Sequence, residues 1–237
     1  MRHVSSTLSS RAKAAEQRLQ AALAIVEELG DRSGVASSYH ELGFLAQVRG
    51  DYDAAEQRYQ DSLAIDEELG NRSGVARSYH QLGMLAQDRG DYDAADQRYQ
   101  TALAILKELG EQASTASTLS ELGILHTRQS QFADAIRFQL QSLAIRTELG
   151  LAHAAAIDMQ MLREQRTAVG DKQFLNILQA DLDADIAAAI MRTPSRLTKV
   201  RCRWDAITKP CTQRRQPHCG SQSMSMANTR PGCGRWR

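Results

Sequence analysis

Apolar residues recur at spacings of three and four along most of the chain, which is the period of one buried face of an α-helix. One such stripe passes through Ala36, Tyr39 and Leu42, and a second begins after a break at Gly50 and passes through Tyr59. No segment alternates apolar and polar residues, or concentrates β-branched residues, as a strand does. The pattern therefore predicts helices that follow one another in pairs.

The breaks between the helical stripes contain residues typical of helix ends. Gly50 and Gly70 accept the left-handed backbone conformation that commonly ends a helix. Asp51 is a preferred residue for capping the first turn of the next helix. The small residues Gly43 and Ala55 fall on the stripes, where two helices must approach closely. We expect an antiparallel helix pair in each unit.

The helix pair repeats with a period of 40 residues, and residues 31–70 differ from residues 71–110 at only ten of forty positions. The strings Leu-Ala-Ile and Glu-Leu-Gly return together four times, beginning at Leu23, Leu63, Leu103 and Leu143 and ending at Gly30, Gly70, Gly110 and Gly150. A single pair leaves apolar surface uncovered, so consecutive pairs stack. The sequence predicts an all-α fold, an α-solenoid of antiparallel helix pairs.

The recurring positions resemble the tetratricopeptide repeat. The motif consists of Tyr39, Leu42-Gly43, Gly50-Asp51-Tyr52, Ala55 and Tyr59, and it returns at Tyr79, Leu82-Gly83, Gly90-Asp91-Tyr92, Ala95 and Tyr99. The period exceeds the usual 34 or so residues, and the proline that ordinarily ends the second helix is absent. The repeat is similar to the extended form of kinesin light chains, GoLoco-binding scaffolds and bacterial signalling proteins. This resemblance implies a right-handed superhelix that binds other proteins.

The ends of the array depart from the pattern. The division we expect is a half repeat at 11–30, full repeats at 31–70, 71–110 and 111–150, and a degenerate capping repeat at 151–190. Three explanations fit the missing first helix of the half repeat. The chain is part of a longer array, its start is misplaced, or Leu19, Leu23 and Val26 expose an apolar face that pairs with a second copy in a homodimer.

The end of the chain has a different composition. Residues 192–237 contain eleven Lys and Arg and one acidic residue, a net charge of +10, whereas residues 1–191 carry 18 basic and 27 acidic residues, a net charge of −9. Without a helical period, residues 191–237 are expected to form a disordered basic tail. Its cysteines are spaced too widely for ordinary zinc-finger pairs. Three interpretations of the tail remain open. It binds nucleic acid or another acidic surface, it folds back on the acidic array, or it results from a reading-frame artefact.

The resemblance also implies where a ligand binds, because the first helices of such repeats line a concave groove. The side chains that it directs into the groove are Ser37, His40, Phe44, Gln47, Val48, Arg77, His80, Met84, Gln87, Asp88, Ser117, Ser120, Ile124, Thr127 and Arg128. Three of the ten differences between the two closest repeats fall at these positions. A scaffold held constant while its binding face varied would give this distribution.

No catalytic, metal or cofactor motif accompanies the repeats. The chain has no Gly-rich phosphate loop followed by Lys-Ser or Lys-Thr. His40 and His80 lie on helices expected to pack about 8–10 Å apart, too far to share a zinc ion. No secretory signal or membrane-spanning run is visible, which favours a cytoplasmic protein.

We therefore predict a non-catalytic adaptor, without cofactor or metal, that binds a peptide or a partner helix in its groove. Two alternatives remain open. The chain is a regulatory or sensor fragment of a larger bacterial signalling protein, of the nucleotide-switch ATPase or peptide-receptor type. Or it binds nucleic acid, or an acidic surface, through its basic tail.

Overall fold

The computed structural model describes the backbone of residues 2–181, 187, 190 and 191, with side chains for residues 14–180, 187, 190 and 191. This part of the chain contains nine α-helices and no strand. The helices are α1 Arg2–Glu28, α2 Arg32–Val48, α3 Tyr52–Glu68, α4 Arg72–Arg89, α5 Tyr92–Leu109, α6 Gln112–Arg128, α7 Phe132–Glu148, α8 Ala152–Val169 and α9 Asp171–Asp181. The predicted all-α solenoid is confirmed, while the tail beyond Met191 lies outside the described residues.

The turns between helices have the backbone conformations that the sequence indicates. Gly50 has a φ of 77°, in the left-handed region, and the Asp51 side chain accepts a hydrogen bond from the main-chain nitrogen of Ala54 at 3.3 Å. Both predictions are confirmed. The corresponding turn after α6 has Ser130 at a φ of 61°, a conformation that a non-glycine residue adopts with some strain. The helix that follows, α7, has Gln131 at its N-cap position, and the Gln131 side chain makes no capping hydrogen bond.

Each helix packs on the one before and the one after it, and the tightest contacts are within the pairs α2–α3, α4–α5 and α6–α7. Close approach within a pair depends on glycine. A Cβ atom added at Gly43 would lie 2.8 Å from the ring of Tyr59, and one added at Gly83 would lie 2.7 Å from the ring of Tyr99. Both tyrosine rings are fully buried. As the sequence predicts, the tyrosine rings fill the space between the paired helices, and the glycines allow the rings to approach the helix backbone.

The third repeat replaces this aromatic contact with a buried polar cluster made of Ser120, Gln139, Ser142, Arg146 and Asp158. Asp158 Oδ1 accepts hydrogen bonds from Ser120 Oγ at 2.9 Å, Gln139 Nε2 at 2.6 Å and Arg146 Nη1 at 2.5 Å. Asp158 Oδ2 accepts from Ser142 Oγ at 2.8 Å. The cluster joins α6, α7 and α8, so it fastens the third repeat to the capping pair.

The first helix covers more of its apolar surface than the sequence suggests, and it begins well before residue 11. Leu23 and Val26 pack against α2, and Leu19 is half-buried. The expectation that these three residues form an exposed face is therefore wrong, because α2 covers α1 as α4 covers α3. The large exposed apolar side chains here are instead Ile25 of α1 and Leu29, which directly follows this helix. A homodimer through α1 stays a prediction.

At the other end, α8 and α9 close the described core. Leu162 of α8 packs with Phe174 and Leu178 of α9, and with Ile190 beyond it. Nothing among the described helices has both the length and the apolar character needed to cross a membrane.

Candidate functional site

The first helices of consecutive pairs lie side by side and form one continuous surface, which we call the first-helix wall: α2, α4, α6 and α8. These helices contact each other along the array, α2 with α4, α4 with α6, and α6 with α8. The second helices α3, α5 and α7 make no comparable contacts among themselves. The first helices of consecutive repeats therefore share one surface of the described array.

The residues predicted to line the groove all lie on this wall, but they differ in how much of each side chain is accessible. The exposed ones are Ser37, Phe44, Val48, Arg77, Asp88, Ser117 and Arg128. The half-buried ones are Gln47, His80, Met84, Ile124 and Thr127. His40, Gln87 and Ser120 are buried, so they pack between helices and are not freely accessible.

The two histidines are neutral rings that pack at a tilt of 56° against tyrosine rings. His40 lies 5.5 Å from Tyr59 and His80 lies 5.6 Å from Tyr99, measured between ring centroids. The pKa of each histidine is lowered to about 4, mainly by burial, and for His40 the positive charge of Arg77 contributes to that shift. At neutral pH both rings therefore offer hydrogen-bonding atoms but no charge.

We assign the tautomer of His80 from the hydrogen-bond partners around its Nδ1 atom. Its Nδ1 lies 3.1 Å from Thr118 Oγ1, and that hydroxyl donates to the carbonyl oxygen of Ser114 at 3.0 Å. Because the Thr118 proton is already used, His80 Nδ1 is the donor in the first contact, and His80 Nε2 carries an accepting lone pair. By contrast, neither ring nitrogen of His40 has a hydrogen-bond partner in the described structure.

Side-chain bonds also tie the first helices to one another. Tyr59 Oη donates to Gln47 Oε1 at 2.9 Å, and Gln47 Nε2 donates to Asp88 Oδ2 at 2.9 Å, which links α3, α2 and α4. Between α6 and α8, Gln165 Nε2 donates to Thr127 Oγ1 at 2.9 Å. These wall positions therefore help to hold the array in register as well as to shape its surface.

The sequence reasoning missed two kinds of wall residue. One is Glu121 of α6. Burial raises the pKa of its carboxyl, while a hydrogen bond from Gln87 and the charge of Arg128 act in the opposite direction on that pKa. Ile157 of α8 is 46% exposed at the position equivalent to Ser37. Helical spacing could have found both, because Glu121 follows Ser117 by four residues and Ile157 follows it by forty.

A cleft of about 220 Å³ opens in the wall between α4 and α6. Arg77 and His80 line it from α4, Ser117 and Thr118 from α6, and Glu111 lies at the start of α6. It brings together three of the predicted groove residues, Arg77, His80 and Ser117. No group of three or more possible metal-ligating side chains occurs among the described residues, in this cleft or elsewhere.

Lowering the pH from about 6.5 to about 5.5 is expected to destabilise the array by about 1 kcal/mol for each of the two neutral histidines. The pKa of His40 in the folded chain, about 4, lies below its ordinary value of 6.5, so the unfolded chain binds the proton first. Stability from this residue is therefore present above pH 6.5 and is lost as the pH falls toward 4. Urea unfolding at both pH values tests this against His40→Leu, which should lose about 1 kcal/mol less over the interval. An unchanged pH dependence in the variant would contradict a buried neutral His40.

The comparisons with known proteins agree with this architecture. The tetratricopeptide repeat model matches residues 7–68 and 74–148, which is more than half of the chain. No curated protein sequence matches it. Among solved structures, the crystal structure of BtubC (BKLC) from P. vanneervenii is similar with a TM-score of 0.64 and 22% sequence identity, over 94% of this chain and 83% of that one. At this identity the likeness concerns the fold alone. On the family match and the stacked helix pairs together, the chain belongs to the tetratricopeptide repeat family.

Proposed function

We propose that the chain is a non-catalytic scaffold that acts in the cytoplasm and binds an extended peptide, or a helix of another protein, on its first-helix wall. Proteins built from this repeat serve in protein interaction, and the wall is the surface that the first helices of consecutive repeats share. No catalytic constellation is needed for this role. The binding surface is shaped instead by side chains that stay accessible between the interhelical hydrogen bonds.

The observation that carries the proposal is an apolar row in a largely polar wall. Phe44 is 48% exposed and Val48, one turn further along α2, is 67% exposed. Met84 and Ile124 occupy the position of Phe44 on the next two first helices, where both are half-buried. A row of accessible apolar side chains across stacked helices is a surface that a partner's side chains can cover.

Peptide ligands selected against the full chain are expected to bind through this row. A displayed random peptide library supplies the ligands, and fluorescence polarisation gives their affinities. The double variant Phe44→Ala, Met84→Ala should weaken binding by about tenfold or more, because central apolar contacts carry much of the free energy of binding.

The matched control removes two exposed apolar side chains that lie away from the wall. Leu109 is the last residue of the second helix α5, Leu149 directly follows the second helix α7, and the two are 42% and 41% exposed. The double variant Leu109→Ala, Leu149→Ala should bind the selected peptides as the wild type does. Loss of affinity in the control alone, equal loss in both variants, or a selection without any enriched peptide would overturn the proposal.

A further inference from the structure

The cleft between α4 and α6 combines a cation and an anion that do not pair with each other. Arg77 lines it from α4 and is exposed, with no hydrogen bond or ion pair in the described part of the chain. Glu111 lines it from the start of α6, and its carboxylate accepts a hydrogen bond from Ser114 Oγ at 3.1 Å. Both charges remain available to a group that enters the cleft.

The hydrogen-bonding atoms of the cleft are divided in the same way. The guanidinium of Arg77 offers only donors. The carboxylate of Glu111 offers only acceptors, and His80 Nε2 adds an acceptor because Nδ1 holds the ring proton against Thr118. The Ser117 hydroxyl donates to the carbonyl oxygen of Ala113 at 3.1 Å, so toward the cleft it too presents lone pairs. In the cleft, hydrogen-bond donors therefore come from Arg77, whereas Glu111, His80 and Ser117 present acceptors.

Charged groups fit this division poorly. A carboxylate that paired with Arg77 would lie near the carboxylate of Glu111 and the lone pair of His80. An ammonium group that paired with Glu111 would lie near the guanidinium of Arg77. An apolar group would desolvate both charges and leave their hydrogen bonds unmade. A neutral group with an accepting oxygen and a donating nitrogen satisfies both sides at once.

We propose that this cleft holds the carboxamide of an asparagine or glutamine side chain of the bound peptide, with its oxygen on Arg77 and its NH₂ group toward Glu111 and His80. The inference rests on the proposed function, since it names one side chain of the ligand that the first-helix wall binds. In this arrangement the α4–α6 cleft selects one side chain of the peptide, and the neighbouring apolar row contributes most of the affinity.

The neighbouring junctions between first helices lack this pair of charges, so within the described wall the arrangement occurs once, in the α4–α6 cleft. At the α2–α4 junction, Ser37 and Asn71 stand in the places of Arg77 and Glu111. At the α6–α8 junction those places belong to Ser117 and Leu151. A peptide lying along the wall would therefore have one register in which its carboxamide meets both charges.

Small capped amino acids test the cleft without any knowledge of the natural ligand. The probes are the N-acetyl, N′-methylamide derivatives of glutamine, glutamate, lysine and leucine, added to the ¹⁵N-labelled full chain. Chemical shifts of Arg77 Nε–H and of the Ser114 and Ser117 amides report binding. The glutamine probe should bind in the millimolar range and at least about fivefold more tightly than the other three.

Two variants and a control separate the roles of the charges. Arg77→Ala should weaken the glutamine probe about tenfold, whereas Arg163→Ala, which removes an exposed arginine of α8 outside the cleft, should leave its binding unchanged. Glu111→Gln keeps an acceptor but removes the negative charge, so the glutamate probe should then bind about as well as the glutamine probe.

Several outcomes would overturn the proposal. They are equal binding of all four probes, preference for the glutamate or lysine probe by the wild type, no binding of the glutamine probe, and no gain by the glutamate probe in Glu111→Gln. None of these bears on the apolar row. If selected peptides still depend on Phe44 and Met84, the scaffold function stands and only the identity of the side chain in the cleft fails.

Discussion

Replacement of Asp158 by alanine is expected to destabilise the array by about 3–5 kcal/mol. Asp158 has no exposed surface and is the shared acceptor of the buried polar cluster, while Arg146 is 9% exposed. Without the carboxylate, the charged Arg146 guanidinium stays in the interior with only the carbonyl oxygen of Ala154 and the Ser120 hydroxyl as neutral acceptors. Ser120 loses its acceptor, Gln139 keeps only the Ser120 hydroxyl, and the Ser142 hydroxyl retains the carbonyl oxygen of Ala116. The cost arises mainly from the charge and donors left unpaired, since these groups were bonded to water in the unfolded chain.

Urea unfolding followed by circular dichroism measures this loss, and Asp134→Ala is the matched control. Asp134 forms an ion pair with Arg137 at 3.0 Å, with both side chains largely exposed, so its removal should cost less than about 1 kcal/mol. Replacing both buried partners, as in Arg146→Met with Asp158→Leu, should recover much of the stability. Equal effects of the two aspartate substitutions would show that the buried cluster does not hold α8 to the array.

Tyr99→Ala is expected to destabilise the array by a similar amount, about 3–5 kcal/mol. The ring is fully buried and fills the space beside Gly83, where even an added Cβ atom would lie only 2.7 Å away. The His80 ring also packs on it, at 5.6 Å between centroids. Removal of the ring leaves a cavity where α4 and α5 meet, and the glycine cannot fill it.

The tyrosine hydroxyl provides the control for the ring. Tyr99 Oη is buried and has no hydrogen-bond partner among the residues that the structure describes, so Tyr99→Phe should be neutral or slightly stabilising in the same unfolding experiment. Tyr59 Oη donates to Gln47, so Tyr59→Phe should cost about 1 kcal/mol. If Tyr99→Phe were as costly as Tyr99→Ala, the stability would come from a polar contact of the hydroxyl and not from the ring.

The fold follows closely from the sequence because its signals are local. Gly50 and Asp51 specify a turn through their own backbone and side-chain preferences, and a period of 40 residues repeats that information along the chain. Even the contact of Gly43 with the Tyr59 ring is suggested by a small and a large residue at fixed spacing. Where the period weakens, so does the prediction: α1 begins at Arg2 because helical residues continue beyond the repeated segment.

The candidate site follows less closely, because accessibility depends on neighbouring repeats. Ser120 and His40 occupy positions that the family directs into the groove, yet both are buried between first helices. For Ser120 the cause is Asp158, 38 residues away, which no pattern within one repeat reveals. Whether Arg77 is paired or free likewise depends on the residues that the next repeat places opposite it. The helix positions can be predicted from one repeat, whereas the chemistry of a junction needs two.

This dependence has a consequence for duplication of segments within the array. The α4–α6 cleft takes its donors from residues 71–110 and its acceptors largely from residues 111–150. Insertion of a second copy of residues 71–110 would lengthen the array but would place Asn71 and Gly74, not Glu111 and Ser114, opposite the first Arg77. Only a block that carries both repeats, residues 71–150, would copy the cleft. Copying the proposed carboxamide site therefore requires duplication of two consecutive repeats, whereas duplication of one repeat is enough to lengthen the array.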